Sequence, residues 1–227
     1  MLSKTEKQTH FDSYWQTRDK EKADLRSQQR SEIAYSLLTL KAGRLLDVGC
    51  GRGLNSAFFR DKGFQGEAVD ISPDAVRMTR QKGISASVLD LEQEELQGDY
   101  DVILCLEVLQ FALDPSKVLS KLELSLKNEG ELILSLPNEF HILRRLKILF
   151  GKPDFGGFQA PHVRFFYPSE IRRLIHACGL RIEKIESVSI APPSLRLLSK
   201  LGDILAGLFP GLFSLFMVVK AAKARND

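Results

Sequence analysis

The chain has 227 residues, 44% hydrophobic and 27% charged, which places it among globular domains and excludes collagenous and disordered classes. Thirty-two Lys and Arg against 29 Asp and Glu give a net charge of +3, too small an excess to argue for nucleic acid. Three cysteines build no disulfide framework, and Met1 to His10 carries no apolar signal core, so the expected setting is reducing and cytoplasmic.

The first 41 residues read as a polar helical cap, with Phe11, Tyr14 and Trp15 as an aromatic cluster and Ile33, Leu37, Leu38 and Leu40 as a rough apolar stripe. Arg44 to Val48 then reads as a buried parallel strand running into glycines. A helix is expected over Leu54–Lys62 with Gly63 as its stop, then a strand over Gly66–Val69. Ser72-Pro73-Asp74 starts a second helix: Ser caps, Pro fits the first turn, and the acid faces the positive helix end. Strands follow at Ala86–Leu89 and Tyr100–Leu106, a helix opens at Asp114-Pro115, and a fifth strand spans Glu131–Leu136. Alternation of this kind implies βαβ units with right-handed crossovers.

Residues 137–166 break the rhythm and read as an insertion or lid, first basic and apolar, then rich in Gly and Pro from Gly151 to Pro161. A helix at Pro168–Cys178 and a strand at Arg181–Ile190 restore the pattern. Residues 194–227 supply a C-terminal helix, Leu195–Leu208, and a last strand, Leu215–Ala221, pairing back. The uncharged run Ile204–Val219 has 16 residues, fewer than the roughly 18–20 of a spanning helix, and contains Pro210 and Gly211. The expected architecture is a single three-layer α/β domain, Rossmann-like, with a mostly parallel seven-stranded sheet and helices on both faces.

Ligands of open α/β sheets bind beyond the carboxyl ends of the strands. The first strand ends in Asp47-Val48-Gly49-Cys50-Gly51-Arg52-Gly53, where glycines at alternate positions allow tight turns and close approach. The next ends in Asp70, 17 residues after Gly53, a carboxylate suited to ribose hydroxyls, with Ile71 as an apolar wall for a flat base. The third ends in Asp90-Leu91, where an acid suits an exocyclic amine. A nicotinamide-binding turn needs Gly-x-Gly-x-x-Gly/Ala, and counting from Gly49 or Gly51 gives Leu54 or Ser56 instead.

The order strand, Asp-x-Gly-x-Gly-x-Gly, helix, strand-Asp, helix, strand-Asp resembles the class I S-adenosylmethionine-dependent methyltransferases over about residues 40–190. Phrases similar to the family's motifs are Leu45 to Gly51, Ala68 to Pro73 and Tyr100 to Leu109. The resemblance implies S-adenosyl-L-methionine as cofactor. It assigns the Asp47–Gly53 loop (Asp47, Gly49, Cys50, Gly51, Gly53) and Leu106 to Glu107 to the methionine part, Asp70 to the ribose, and Asp90 and Leu91 to the adenine. Two branches are nearest. The ubiquinone-biosynthesis O-methyltransferases share Glu107-Val108-Leu109, but many continue with Glu-His where Gln110-Phe111 stand here. The methionine-biosynthesis W-type proteins share a run like Leu136-Pro137-Asn138-Glu139-Phe140-His141. The first branch implies methylation of a small-molecule acceptor at oxygen. The second implies a cofactor-binding partner or regulator of a biosynthetic acyltransferase.

His141 and His162 flank the insertion as candidate bases, or as plain loop histidines, while His176 sits beside a core stripe. No His or Cys spacing points to a metal. Cys50 and Cys105 read as small buried thiols. The basic-apolar segment 142–150 admits three readings: a wall over the acceptor, ordinary packing, or contact with a membrane surface or partner protein. Arg26 and Arg30 either pair with the cofactor carboxylate or lie on a solvated helix face.

Overall fold

The computed structural model describes residues 4–17, 20–152, 163–191 and 196–224. Two helices, α1 (Lys4–Thr17) and α2 (Lys20–Leu37), precede the sheet. Then come β1 (Gly43–Val48), α3 (Leu54–Asp61), β2 (Phe64–Asp70), α4 (Pro73–Arg80), β3 (Ser85–Val88) and β4 (Tyr100–Leu106). A short 3-10 turn, Leu109–Phe111, leads to α5 (Pro115–Ser125), β5 (Leu126–Pro137) and α6 (Ile142–Leu149). The chain continues through α7 (Pro168–Ala177), β6 (Leu180–Ser189), α8 (Arg196–Leu208), α9 (Pro210–Phe213) and β7 (Ser214–Lys223).

The seven strands lie in the order β3-β2-β1-β4-β5-β7-β6, with β7 antiparallel to both neighbours and the other pairs parallel. Strand order reverses between β1 and β4, where Val48 sits opposite Cys105. A crevice forms at such a reversal because the two crossover sets leave in opposite directions.

Alternate residues of the central strands feed two cores. Leu45, Val102, Leu104 and Ile133 face α2 and α3, meeting Leu37 and Phe59. Leu46, Ile103, Cys105 and Leu134 face α5 and α7, meeting Leu119, Leu122, Ile171 and Ile175. Full burial of each large apolar side chain contributes about 1.5–3 kcal/mol. The helix starts match their sequence signatures: the Ser72 hydroxyl accepts from the Ala75 amide at 3.0 Å, and the Asp114 carboxylate from the Lys117 amide at 3.1 Å.

Two boundaries depart from the sequence reading. β2 begins at Phe64, whose ring is buried against Phe59 at 5.6 Å. β5 begins at Leu126, directly after α5, because the polar residues 127–130 bulge where the register with β4 jumps from Leu126 to Glu131. The sequence reading did not anticipate the short α9, which Pro210 opens.

The far end of the sheet is fastened by a buried ion pair. Lys220 Nζ lies 2.5 Å from Glu131 Oε1 and donates to Thr39 Oγ1 at 2.7 Å. Glu131 Oε2 also accepts the amides of Thr39 and Leu40, so one carboxylate ties β5, β7 and the α2–β1 turn. Removing one partner of a buried pair strands the other charge. Lys220→Met should therefore lower stability by about 3 kcal/mol in urea titration, and a loss under about 1 kcal/mol would show the pair to be solvent-compensated.

Candidate active site

A cavity of about 920 Å³ opens at the carboxyl ends of β1, β2 and β4. Its floor is the turn after β1. Gly49 and Gly51 have φ of +68° and +53°, the left-handed region that glycine enters without strain. A Cβ on Gly49 would lie 2.4 Å from Val108 Cγ2, and one on Gly51 2.4 Å from the Trp15 ring. The amides of Gly49 and Cys50 both donate to Val69 O, at 2.8 and 3.1 Å, which ties the turn to β2.

Asp70 joins this turn to the next. Its Oδ2 accepts the Gly51 amide at 2.8 Å and its Oδ1 the Ser72 amide at 2.9 Å. Burial raises its pKa to about 6, against the lowering effect of those amide bonds. Each carboxylate oxygen has a further lone pair, and Asp70 lines the cavity.

The expected cofactor residues divide into two groups. Gly49, Cys50, Asp70 and Ile71 line the cavity, as do Asp90, Leu91, Leu106 and Glu107. Asp47, Gly51 and Gly53 do not, and they act from behind the turn. The placing of Asp47 with the cofactor is corrected here: its buried carboxylate turns back and accepts the Ser56 hydroxyl at 2.5 Å. Burial pushes the Asp47 pKa up to about 7, opposed by the Ser56 bond. Burial likewise raises the thiols of Cys50 and Cys105, so neither is a reactive thiolate.

The Asp90 end of the cavity has a partner that the sequence reading does not include. Lys7 Nζ lies 2.8 Å from Glu92 Oε2 and 3.2 Å from Asp90 Oδ2. Asp90 Oδ1 accepts the Glu92 amide at 3.0 Å. Lys7, Phe11, Tyr14 and Trp15 all line the cavity from α1. Their spacing of three and four residues on an otherwise polar helix was the available signal. Phe11 meets Phe111 edge-on at 5.4 Å, which seats α1 on the 3-10 turn. From α2, Arg26 and Arg30 also line the cavity, and Arg30 is buried over the Phe216 ring at 5.8 Å. The solvated-face reading therefore fails for Arg30.

At the opposite end, Glu107 adopts φ +60°, uncommon for a residue with a side chain. Its carboxylate accepts from Ser135 Oγ at 3.3 Å and Gln110 Nε2 at 3.5 Å. Among the described residues, Gln110 Oε1 is buried without a hydrogen-bond partner, and so is His141 Nδ1. Both residues line the cavity. Burial, helped by Lys147, holds His141 below the usual imidazole pKa. Glu139 pairs with Arg144 on the same wall. His162 and the Gly/Pro-rich residues 153–162 lie outside the described residues. Among the described residues no cluster of His, Cys, Asp and Glu has the makings of a metal site.

An open sheet of this order, with a glycine turn and a strand-end acid at its reversal point, defines a Rossmann-like nucleotide-binding enzyme. A family model described as a methyltransferase domain matches residues 14–185, so the chain belongs to the methyltransferase-domain family. It is a class I S-adenosylmethionine-dependent methyltransferase. The chain is 29% identical over 177 residues to a ubiquinone biosynthesis O-methyltransferase of Xanthomonas euvesicatoria pv. vesicatoria, covering 72% of this chain and 73% of the relative. Two solved structures share the fold. Magnesium protoporphyrin IX methyltransferase from Synechocystis PCC 6803 with bound SAH gives a TM-score of 0.69 at 22% identity, covering 98% of this chain and 100% of that one. A putative methyltransferase in complex with the Haloferax volcanii Trm112 activator gives 0.67 at 16% identity, covering 95% and 98%.

The donor set fits S-adenosylmethionine: a buried acid with spare lone pairs for hydroxyls, apolar walls at Ile71 and Leu91, and a side-chain-free approach at Gly49. Hydroxyls that donate to Asp70 favour its ionised form. The affinity for S-adenosylhomocysteine should thus rise by up to tenfold per unit from about pH 5 to about pH 6, then level off. Calorimetry on the wild type and Asp70→Asn checks this: the variant should bind more weakly and lose the rise, and an equal rise in both would assign it elsewhere.

Proposed function

We propose that this methyltransferase acts on an oxygen of a small-molecule acceptor, with His141 as the base. One observation carries the reading: a buried imidazole whose Nδ1 has no hydrogen-bond partner among the described residues lines the cavity end away from Asp70 and Asp90. The similarity to an O-methyltransferase supports the choice of oxygen.

In this reading Asp70 holds the ribose hydroxyls, Ile71 and Leu91 sandwich the base, and Asp90 takes its amine beside the neutralising Lys7. The turn at Gly49 and Cys50 and the backbone at Leu106 and Glu107 flank the methionyl end, and Arg30 answers its carboxylate. When bound, S-adenosylmethionine supplies a methyl on a sulfonium sulfur, which leaves as a neutral thioether without an acid. What remains for the chain is alignment and removal of one proton. Alignment alone accounts for large rate factors when reacting atoms are held near contact. A hydroxyl also loses its proton as the new C–O bond forms, and His141 Nδ1 accepts it. Held below the usual imidazole pKa by burial, His141 is neutral near pH 7 and ready to accept. Glu139 and Arg144 pair with each other and shape the wall around the acceptor.

Labelled methyl transfer to a panel of phenols, catechols, carboxylates and amines tests the reading. Oxygen acceptors should turn over, and His141→Ala should cut kcat by about 10²–10⁴ while leaving S-adenosylhomocysteine binding intact. The wild-type rate should rise with pH through a value below the usual His range, then stay flat. Transfer only to amines would overturn the oxygen assignment. Tight cofactor binding with no transfer to any acceptor would favour the regulator of a biosynthetic acyltransferase.

A further inference from the structure

Two helices at the carboxyl edge of the sheet turn apolar faces away from the protein. α6 intersperses three cations among leucines and isoleucines, with Phe150 and Lys152 just beyond its end, yet it contains no buried residue. At 100° per residue, Ile142, Leu146, Leu149 and Phe150 form one face, with Arg144, Arg145 and Lys147 spread round the rest. Leu149 and Phe150 are 75% and 73% exposed. No acid occurs between Ile142 and Lys152.

α8 is inverted relative to an ordinary surface helix. Its small residues face inward: Ala206 is fully buried, and a Cβ on Gly202 would lie 2.3 Å from Ser189 Oγ at the end of β6. Its large residues face outward, with Leu201, Ile204 and Leu208 between 53% and 67% exposed. The roots of the two helices are joined. The Asn138 amide, just before α6, donates to Pro210 O at 3.1 Å and to Ser214 O at 2.9 Å, just after α8. His141 and Arg144 start α6 and also line the cavity, so this edge lies at the mouth of the site.

We propose that α6 and α8 form a platform that seats the protein on an anionic lipid surface. An apolar face flanked by Arg and Lys matches a headgroup layer over acyl chains. Charge argues against a second copy of the chain. A two-fold dimer places the same patch on both subunits, so Arg145, Lys147 and Lys152 of one copy would meet the same three cations of the other, with Asp203 of α8 the one acid within the two helices. The platform is independent of the acceptor chemistry.

Co-sedimentation of the full chain with vesicles of phosphatidylcholine, alone or mixed with phosphatidylglycerol, tests the proposal. Partition should be at least about tenfold stronger on the mixed vesicles and should weaken with salt. Leu149→Glu with Phe150→Glu, and separately Ile204→Glu with Leu208→Glu, should each lower it about tenfold. S-adenosylhomocysteine affinity, measured on the same samples, reports an intact fold. Should an apolar variant fail to fold, Lys147→Glu with Lys152→Glu reads the same surface through charge. The proposal falls if a folded protein ignores mixed vesicles, if the variants partition like the wild type, or if the variants only turn a dimer into a monomer. Partition on lipid without nucleotide binding would leave the platform standing and remove the methyltransferase assignment instead.

Discussion

The carboxylate of Asp70 accepts the amides of Gly51 and Ser72, and that double contact holds the binding end of the sheet in place. It sits where two turns must be fixed at once: the left-handed glycine turn after β1 and the cap of α4. Because those amides point at Asp70, the turn's outer edge is left to Gly49 and Cys50. Burial works against ionisation of the acid, and the two amides oppose that effect. The same side chain therefore serves as a structural brace and as a cavity wall with lone pairs to spare.

Around this brace the two ends of the cavity are built differently. The end at Asp90 is closed by α1, a helix that is polar apart from its aromatic face toward the cavity. It is held by Lys4 on Glu94, Lys7 on Glu92 and Asp90, and Gln16 on Asp74, with Phe11 and Trp15 as its apolar contacts. The exposed Lys4–Glu94 pair is weak and screened by salt, whereas the Lys7 pairs lie largely out of water. The opposite end rests on β4, β5 and the base of α6. There the polar groups are buried, and two of them, on Gln110 and His141, have no hydrogen-bond partner among the described residues.

The sheet was legible because its central strands are short apolar runs that end in glycine or acid. β4 matches its expected bounds, Tyr100–Leu106, because both of its faces are buried. The N-terminal part of β5 was hidden because residues 127–130 are polar and bulge out of register. The strand-end acids were legible as a set but not their individual directions. Asp47 pairs in register with Ala68, two residues short of Asp70, and its carboxylate accepts the hydroxyl of Ser56 in the first turn of α3. The partners of Lys7 lie 83 and 85 residues away, so its place one turn before Phe11 marked the helix face but not the pairing. The buried Lys220–Glu131 pair was missed for the same reason. Leu195–Leu208 reads as a helix, but the sequence alone does not say which face is inward. Gly202 and Ala206, small enough to sit against the end of β6, settle it.

A crystal structure with S-adenosylhomocysteine tests the central claim most directly, because it locates the nucleoside relative to Asp70. The account predicts the ribose hydroxyls on the remaining lone pairs of Asp70, with the Gly51 and Ser72 amides still in place and Ile71 against the adenine. A nucleoside bound elsewhere in the cavity, with Asp70 touching only Gly51 and Ser72, would reduce the acid to a brace and contradict the account.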